Sequence, residues 1–412
     1  MNGSVIRRLV VFVSVALCLP LSCAKDDPAG PLEFVAEAGQ FLVTKTQLTS
    51  DFKVNWVAGD EISVNGYTYV ASPRADATRA DFAPKGASAP SAGQYEAYYP
   101  ESIYNGGTPT LPSTQTYSAD AIANCPMYAV SSTTSLSFHN ICAVVELNLK
   151  GFDLIKKIEV SSAGDTLCGN FTVDEHNVAK ISSGGGEAVT LDCGAGVRLN
   201  PSAATSFRIA IPAGNYTLKF KIFNTEGDAY AFTKTTKSEV SVSAGNIYSI
   251  GWTATFTKGT ALRAGNVPVP YLQLSSGGPK FATYNVGAIA EGEYGDYYTK
   301  DQIASAIGTW GSDYWEAPDE NDLNALKQLF ASFSTEKKWG TFQGAYTENV
   351  LTLPAAGYKS GGTTLNANTE GNYWNDTGLK CLSFTSSTSP GEATVSNVSE
   401  SFAMSLRLIL KE

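Results

Sequence analysis

Hydrophobic residues alternate with polar ones along most of the chain from residue 34 to residue 255. Leu218, Phe220 and Ile222, for example, would share one face of an extended segment, while the lysines between them would point the opposite way. A period of two is that of a β-strand with one buried and one solvated face. Clusters of glycine and asparagine interrupt these runs, as turns do in antiparallel sheets. The sequence therefore predicts β-sandwiches rather than a helical fold.

At 412 residues the chain is longer than one hydrophobic core usually supports, which predicts two to three domains. Only 17% of its residues are charged, against a usual value of about 25%, which argues against an all-α or coiled-coil protein. We predict a mainly β fold made of tandem units. They are a first sandwich over 34–135, a second sandwich over 136–256, a linker over 257–267 and a C-terminal domain over 268–412.

Charge and histidine content exclude several classes of function. Aspartate and glutamate outnumber lysine and arginine by 39 to 29 and no basic run is present, so a nucleic acid is not an expected partner. The only histidines are His139, expected in the core of a strand, and His176, far from it in the sequence. They do not fit a histidine metal site or a Ser-His-Asp triad. We expect no enzyme activity, no cofactor and no metal centre.

The N-terminus has the organisation of a secretory signal over residues 1–22. Two arginines precede an apolar run at 9–21, which at 13 residues is too short to span a bilayer. Leu-Ser-Cys, ending at Cys23, resembles a bacterial lipobox, so Cys23 is the expected lipidation site and 23–33 a lipidated linker. The alternative is a signal that is cleaved without lipidation, which would give a freely secreted protein.

Lys25, Asp26 and Asp27 come directly after this cysteine and its neighbouring alanine. They resemble the export signal of Bacteroidetes surface lipoproteins, in which a lysine and two acids follow the acylated cysteine. The resemblance implies an outer-membrane lipoprotein that faces the cell exterior and is anchored through the lipid on Cys23.

The remaining cysteines after Cys23 show no CxxC spacing. They are Cys125, Cys142, Cys168, Cys193 and Cys381. The simplest interpretation is that they are small buried side chains. An exported protein permits a disulfide, and one pair among the first four could bridge, but the sequence does not choose the pair.

The last third differs in character, because it holds four of the six tryptophans and the only strong helix signals. Thr299 with Gln302 forms a capping box before an apolar run that reaches Gly308, the expected helix end. Asp319 is the expected cap of a second helix. This region is predicted to be a compact α+β domain.

Short motifs in the first two-thirds occur in a characteristic order. They are VNWVAGDEISV at 54–64, YYP at 98–100, PMYA at 126–129, LSFHN at 136–140, the strand at 143–149, IPAGNY at 211–216 and AGNIY at 244–248. Together they resemble the Bacteroidales fimbrillins, a family of pilus subunits and related surface lipoproteins. The resemblance implies two tandem transthyretin-like β-sandwiches that divide near residue 135.

The resemblance also implies a mode of assembly. In such pilins, removal of the first strand opens a groove that a strand of the next subunit fills, a form of β-strand addition. The matching first strand is 32–44, and Lys45 or Lys53 would be the proteolytic maturation site, although arginine is more usual there. Other fimbrial subunits are thus the expected partners.

The last third carries a second ordered set of motifs. They are ATYNVGA at 282–288, YGDY at 294–297, WEAP at 315–318, LPAAGY at 353–358, GNYW at 371–374 and SLRL at 405–408. They resemble the Fibrobacter succinogenes major paralogous domain, which is C-type-lectin-like and related to formylglycine-generating enzymes. The domain's one cysteine, Cys381, is expected in the core, which disfavours the enzyme.

A lectin-like domain implies a ligand site, and the best local match is Tyr373, Trp374, Asn375 and Asp376. An aromatic face with amide and carboxylate groups is what sugars require. Asn375 and Asp376 also match two oxygen ligands of the calcium site in sugar-binding lectins, although a Ca²⁺ ion needs six or more. The alternative is that both aromatic side chains belong to the core.

The combined expectation is a cell-surface fimbrial or adhesive subunit, of tip or accessory type, with a C-terminal domain that binds a host or dietary glycan or a protein. The alternative is a glycan-capture lipoprotein that never polymerises and uses the sandwiches as a spacer. A modifying enzyme of the formylglycine-generating type is a distant third hypothesis.

Overall fold

The computed structural model describes residues 31–40, 42–43, 54–75, 77–105, 107–119 and 125–411. The signal peptide, Cys23, the export signal at Lys25, Asp26 and Asp27, and the two maturation lysines, Lys45 and Lys53, lie outside the described residues. Within the described residues the fold is mainly β, as the alternation predicts. Two α-helices, both in the last third, complete it.

The first group of strands lies between residues 34 and 140. They are β1 (Phe34–Glu37), β2 (Leu42–Val43), β3 (Glu61–Val64), β4 (Tyr67–Pro73), β5 (Arg79–Pro84), β6 (Tyr95–Tyr99), β7 (Tyr104–Asn105), β8 (Thr108–Leu111), β9 (Thr114–Thr116), β10 (Met127–Ser131), β11 (Ser135–Ser137) and β12 (His139–Asn140). Eight of them form one sheet in the order β11-β1-β5-β4-β3-β6-β10-β12. Trp56 is 2% exposed and packs in its core against Phe82 and Phe138, as expected of a core tryptophan.

The second group lies between residues 143 and 253. It comprises β13 (Ala143–Lys150), β14 (Leu154–Ser161), β15 (Cys168–Val173), β16 (Ala179–Gly186), β17 (Ala188–Arg198), β18 (Thr205–Ile211), β19 (Gly214–Tyr216), β20 (Lys219–Phe223), β21 (Phe232–Thr235), β22 (Val240–Val242) and β23 (Asn246–Thr253). A four-stranded sheet, β18-β13-β23-β2, and a five-stranded sheet, β21-β20-β14-β17-β9, share one core. The alternating side chains of β13, β18 and β20 supply much of it.

Strand pairing crosses the division predicted near residue 135. β8 pairs with β15 and β9 pairs in parallel with β17, so the segment 108–116 belongs to sheets of the second group. The Gln115 side chain is 1% exposed and exchanges two hydrogen bonds with the backbone of Ala210, at 2.7 and 2.9 Å. These bonds satisfy a buried amide, which is why a polar residue is tolerated in this core.

The C-terminal third contains the remaining elements. They are β24 (Lys258–Arg263), β25 (Val267–Gln273), β26 (Lys280–Ala282), β27 (Tyr298–Thr299), α1 (Ile303–Trp310), β28 (Trp315–Glu316), α2 (Glu320–Lys327), β29 (Phe330–Ser334), β30 (Trp339–Gln343), β31 (Val350–Pro354), β32 (Tyr358–Ser360), β33 (Thr363–Leu365), β34 (Glu370–Trp374), β35 (Lys380–Thr385), β36 (Thr394–Asn397), β37 (Ala403–Met404) and β38 (Ile409–Leu410). Its largest sheet has the order β24-β25-β26-β38-β28.

The predicted linker at 257–267 is wrong, because 258–263 is the strand β24 and pairs along its length with β25. Its two inward positions are Gly259 and Ala261, both buried. Since these side chains are small, the alternation leaves no trace in the hydropathy of the sequence. The chain thus passes from the second group of strands into the third through a hairpin rather than a flexible connection.

Both predicted helices form. Asp319 caps α2 through the Asp322 backbone N–H, which it accepts at 2.8 Å, and Gln302 accepts the Thr299 N–H at 2.9 Å before α1. The predicted end at Gly308 is wrong, because α1 continues to Trp310, a buried side chain that packs against Tyr284. None of the helices in the described residues is long and apolar enough to cross a membrane.

Candidate functional site around the first strand

The first strand, β1, is held on both of its edges. It pairs in parallel with β11 and antiparallel with β5. Val35 N donates to Thr134 O at 3.0 Å, and Glu37 O accepts from Phe138 N at 2.9 Å. The predicted strand 32–44 is therefore two short strands, β1 and β2, and the first of them is internal to the sheet. Removing it would leave the facing backbone groups of two strands without partners.

The inner face of β1 fills part of the first core. Phe34 is 1% exposed, and its ring meets those of Tyr69 and Tyr95 edge to face, each at a centroid distance of 5.0 Å. Ala36, two residues on, is fully buried on the same face. Burial of a phenylalanine side chain contributes about 1.5–3 kcal/mol. Side-chain packing and backbone pairing therefore both hold this strand.

Past β1 the chain leaves the first sheet and reaches the second. A Cβ at Gly39 would lie 2.9 Å from Asn140 N and from Phe138 O, so only glycine fits this crossing. Gln40 Oε1 then accepts the Val54 N–H at 3.1 Å. β2 follows and pairs in parallel with the start of β23. This crossing and its glycine carried no signal in the sequence, because the contacts are with residues far along the chain.

A cleft of about 410 Å³ lies beside this crossing, and both histidines of the chain line it together with Gln40 and Asn246. His139 is exposed, which corrects the expectation that it is a core residue. Asn140 also lines the cleft, and its side-chain amide is buried without a hydrogen-bond partner among the described residues. The cleft is a polar surface at the joint between the first and second groups of strands.

A buried carboxylate joins the second group of strands to the C-terminal third. Asp153 is 1% exposed, accepts from Asn224 Nδ2 at 3.1 Å and from Thr260 N at 3.2 Å, and also accepts from the Tyr271 hydroxyl. Burial raises the pKa of Asp153 to about 6, and these hydrogen bonds together with the positive charge of Arg198 limit that rise. Thr260 lies in β24 and Tyr271 in β25, so the hairpin is bound to this carboxylate.

The predicted ligand-binding aromatics are core residues instead. Tyr373 and Trp374 are 1% and 0% exposed, in a strand that pairs with β35. The Tyr373 hydroxyl donates to Pro354 O at 2.7 Å, and Trp374 Nε1 donates to Tyr298 O at 2.6 Å. Both polar groups are thereby satisfied inside the domain, so neither aromatic face is available to a sugar.

Asn375 is likewise not a surface ligand. It is 2% exposed, and its Oδ1 accepts from Leu379 N, from Lys380 N and from the Thr377 hydroxyl, which closes the turn between β34 and β35. An oxygen with three donors has no lone pair left for Ca²⁺. Asp376 is exposed, but Asn375 Oδ1 cannot join it as a second oxygen ligand. The proposed sugar or calcium pair at Asn375 and Asp376 is therefore wrong. Among the described residues, no group of three or more His, Cys, Asp or Glu could hold a metal ion.

The last strand is built into its own domain. β38 lies between β26 and β28. Leu410 lies in this strand, Leu406 and Leu408 lie in the segment just before it, and each of the three is at most 2% exposed. The sequence predicts this commitment, since an alternation of leucines requires a buried face. Cys381 is fully buried in the same third, as expected.

The chain matches no protein-family model and no curated protein. Among solved structures, a candidate cell adhesion protein from Bacteroides ovatus is 15% identical, with a TM-score of 0.35, over 55% of this chain and 95% of that one. A fimbrial protein from Bacteroides ovatus is 9% identical, with a TM-score of 0.29, over 93% of this chain and 100% of that one. The tip fimbrial protein Mfa3 from Porphyromonas gingivalis is 9% identical, with a TM-score of 0.22, over 54% of this chain and 95% of that one.

Proposed function

We propose that this protein is a cell-surface fimbrial or adhesive subunit of tip or accessory type, which accepts a strand from a neighbouring subunit in place of β1. The observation that carries the proposal is the position of β1. It lies inside the first sheet, and the only chain that connects it to the rest of that sheet runs through residues 38–60, which include Lys45 and Lys53. A cut at either lysine would leave β1 held without a covalent bond to the sheet.

A vacated β1 position has the properties of a strand acceptor. The edges of β11 and β5 would expose unpaired backbone groups, and the pocket of Phe34 between Tyr69 and Tyr95 would open. A donated strand with an aromatic residue and, two positions on, a small one would restore both. Backbone pairing then gives affinity, and the two side-chain pockets give specificity.

The tip or accessory position follows from the other end of the described chain. Main-stalk pilins donate a strand to the next subunit, but β38 is paired on both edges, and Leu410 in it and Leu406 and Leu408 just before it are buried. Extracting it would cost the burial of large apolar side chains in addition to two rows of hydrogen bonds. Among the described residues, this strand is therefore a member of its own sheet and not a donor.

The remaining parts of the proposal concern location and ligand. The lipid on Cys23 would anchor the protein in the outer membrane, and Lys25, Asp26 and Asp27 would direct it to the cell surface. The C-terminal domain would bind a glycan or a protein, at a surface other than Tyr373, Trp374 and Asn375. The proposal assigns the C-terminal domain no catalysed reaction and no cofactor.

The test is limited digestion of the full chain with a lysine-specific protease, followed by addition of a fluorescent peptide with the sequence of residues 31–43. Strand acceptance predicts that the cut chain exchanges β1 for the labelled peptide and carries it through gel filtration. A peptide with Phe34→Asp and Ala36→Asp is the matched control, because it retains the backbone but cannot bury its inner face. A chain with Lys45→Ala and Lys53→Ala should not be cleaved between β1 and β3 and should not bind the labelled peptide.

The same experiment separates the alternative function. A non-polymerising glycan-capture lipoprotein would stay a monomer after complete cleavage at Lys45 or Lys53 and would exclude the labelled peptide. Incubation of the cut chain with envelope fractions provides the second readout, because a completed sheet of this kind should resist SDS without heating. A monomer in both assays contradicts strand acceptance.

A further inference from the structure

Two of the buried cysteines lie opposite each other at the end of a ladder. β10 and β12 pair antiparallel, and Ile141 N donates to Pro126 O at 3.1 Å, which extends the pairing one step past the strands. Continued by one further step in the same register, the pairing places Cys125 opposite Cys142, and the charge of Cys142 acts on the Cys125 thiol, as it would for close neighbours. Both thiols are free and buried, and both belong to one hydrophobic cluster.

The hydrogen-bonding pattern of the ladder also determines whether Cys125 and Cys142 occupy a hydrogen-bonded or a non-hydrogen-bonded position. Since Ile141 and Pro126 share a hydrogen bond, the neighbouring positions Cys125 and Cys142 fall at a non-hydrogen-bonded site. There, opposed Cα atoms are about 4.5 Å apart and the side chains approach most closely, on the same face. A disulfide requires Cα atoms roughly 4.4–6.8 Å apart with side chains directed toward each other. A pair in this register therefore has the backbone separation that a bridge needs.

The other described cysteines lack such a partner. Cys193 lies in β17, and the strands that pair with β17, β14 and β9, contain no cysteine. Cys168 is opposed to Gly186, and its Sγ lies 3.4 Å from Ala188 O. Cys381 is opposed to Trp374 and has the Ser383 hydroxyl at 3.2 Å. The geometry thus selects one pair where the sequence left several open.

We propose that Cys125 and Cys142 form a disulfide in the exported protein. The oxidant is a disulfide of another molecule. This molecule is either a protein thiol oxidase in the exporting compartment or a small disulfide compound such as oxidised glutathione. One thiolate attacks a sulfur of that disulfide and releases its first thiol, and the other cysteine then attacks the mixed disulfide and releases the second. Two protein thiols are oxidised and one external disulfide is reduced to two thiols. The proposal does not depend on the fimbrial assignment.

The timing of the reaction follows from burial. Burial raises the pKa of Cys142 to about 12 and also raises the pKa of Cys125 well above its ordinary value, with the charge of Cys142 adding to the effect. The thiolate is the attacking species, so neither folded thiol reacts readily. The bridge therefore forms before the core around Cys142 closes, and afterwards it is shielded from external thiols.

The bridge would close a loop that holds all of β10, β11 and β12. β11 is the parallel neighbour of β1, so the frame on one side of the first strand would be covalently closed. Cross-linking a loop of this size restricts the unfolded chain, and we expect reduction to lower the melting temperature of the first sheet by roughly 5–10 °C.

The chain offers a direct test, because Met127 lies between the two cysteines and the other methionines are Met1 and Met404. Cyanogen bromide in acid, where thiol exchange is suppressed, cuts after Met127. In the full exported chain the fragment that ends at Met127 and the fragment that begins at Tyr128 should stay joined without reductant and separate after reduction. The short peptide 405–412, released by a cut after Met404, contains no cysteine. Intact mass should be about 2 Da below that of the reduced chain, the mass of two hydrogens.

Variants identify the bond. Cys125→Ser should give fragments that separate without reductant, whereas Cys168→Ser, the matched control, should leave them joined. If the unreduced wild-type fragments separate, the proposal is wrong. This measurement uses the wild-type chain alone, so it does not depend on whether a variant folds. Fragments that remain joined in Cys125→Ser would overturn the proposal too, because another cysteine would then form the link.

Discussion

Substitution of Asp153 by asparagine should change the pH dependence of stability in a defined direction. The folded-state pKa of Asp153 is about 6, against an ordinary value of 3.8, and burial is the main cause. Below pH 4 the carboxyl is protonated in both the folded and the unfolded chain. Between pH 4 and pH 6 the unfolded chain loses this proton while the folded chain keeps it. Stability therefore falls as the pH rises through this window and stays lower above it.

The expected magnitude follows from the size of the shift. A difference of about 2 pKa units between the two states corresponds to about 3 kcal/mol at neutral pH. Asparagine carries no charge at any pH, and its Oδ1 can still accept from Asn224 Nδ2 and Thr260 N. Its Nδ2 would donate to the Tyr271 hydroxyl oxygen. Asp153→Asn should therefore remove the pH-dependent loss and preserve most of the hydrogen bonds.

Differential scanning calorimetry between pH 4 and pH 7.5 measures this difference. Relative to Asp153→Asn, the wild-type melting temperature should fall by about 6–12 °C over that range, at about 2–4 °C per kcal/mol for a unit of this size. Asp228→Asn is the control, because that carboxylate is exposed and pairs with Lys221, which lowers its pKa below the window. Parallel curves for wild type and Asp153→Asn would refute the electrostatic reasoning.

Three further outcomes are expected. Alanine at Lys25, Asp26 and Asp27 should leave Cys23 acylated but turn the protein toward the periplasm, so that surface labelling of intact cells is lost; unchanged labelling would contradict the export signal. Trp374→Ala should cost about 3–5 kcal/mol in urea denaturation, because it empties a core position, whereas Asp376→Ala, on the exposed side of the same turn, should change stability by about 0.5 kcal/mol or less. Immunogold labelling of cells should place the protein at fibre ends or beside fibres; even decoration along them would contradict the tip or accessory position.

Local sequence patterns predicted the elements whose stabilising contacts are close in sequence. The alternating Phe220 and Ile222 lie in β20, and Asp319 caps α2, because a period and a cap are encoded within a few residues. The clearest failure is β24, in which the buried positions are Gly259 and Ala261. A strand whose inner face is small residues has no hydropathy signal, and only its pairing with β25 identifies it.

The candidate sites depended on contacts that no local pattern encodes. Tyr373 and Trp374 follow a glycine and precede polar residues, as a surface loop would, yet Pro354 and Tyr298 accept their hydrogen bonds from far along the chain. The opposition of Cys125 and Cys142 likewise depends on the register of β10 against β12. Register is set by which faces are buried, so a single sequence does not give it.

The connection at Asp153 bears on how the C-terminal third is attached to the second group of strands. A flexible linker at 257–267 would let the C-terminal domain rotate freely about the second group of strands. Instead, Arg198 Nη1 donates to Phe152 O at 2.8 Å and to Thr260 O at 2.7 Å, and Asp153 is bound by both strands of the hairpin. Rotation would break the bonds from Thr260 and Tyr271 to Asp153 and the bond from Arg198 to Thr260 O, which would leave the buried carboxylate with Asn224 and the guanidinium with Phe152 O. Loss of hydrogen bonds to a buried charge is unfavourable. The C-terminal third could therefore change its orientation on the second group of strands only by breaking these bonds, so the hairpin acts as a fixed attachment and not as a hinge.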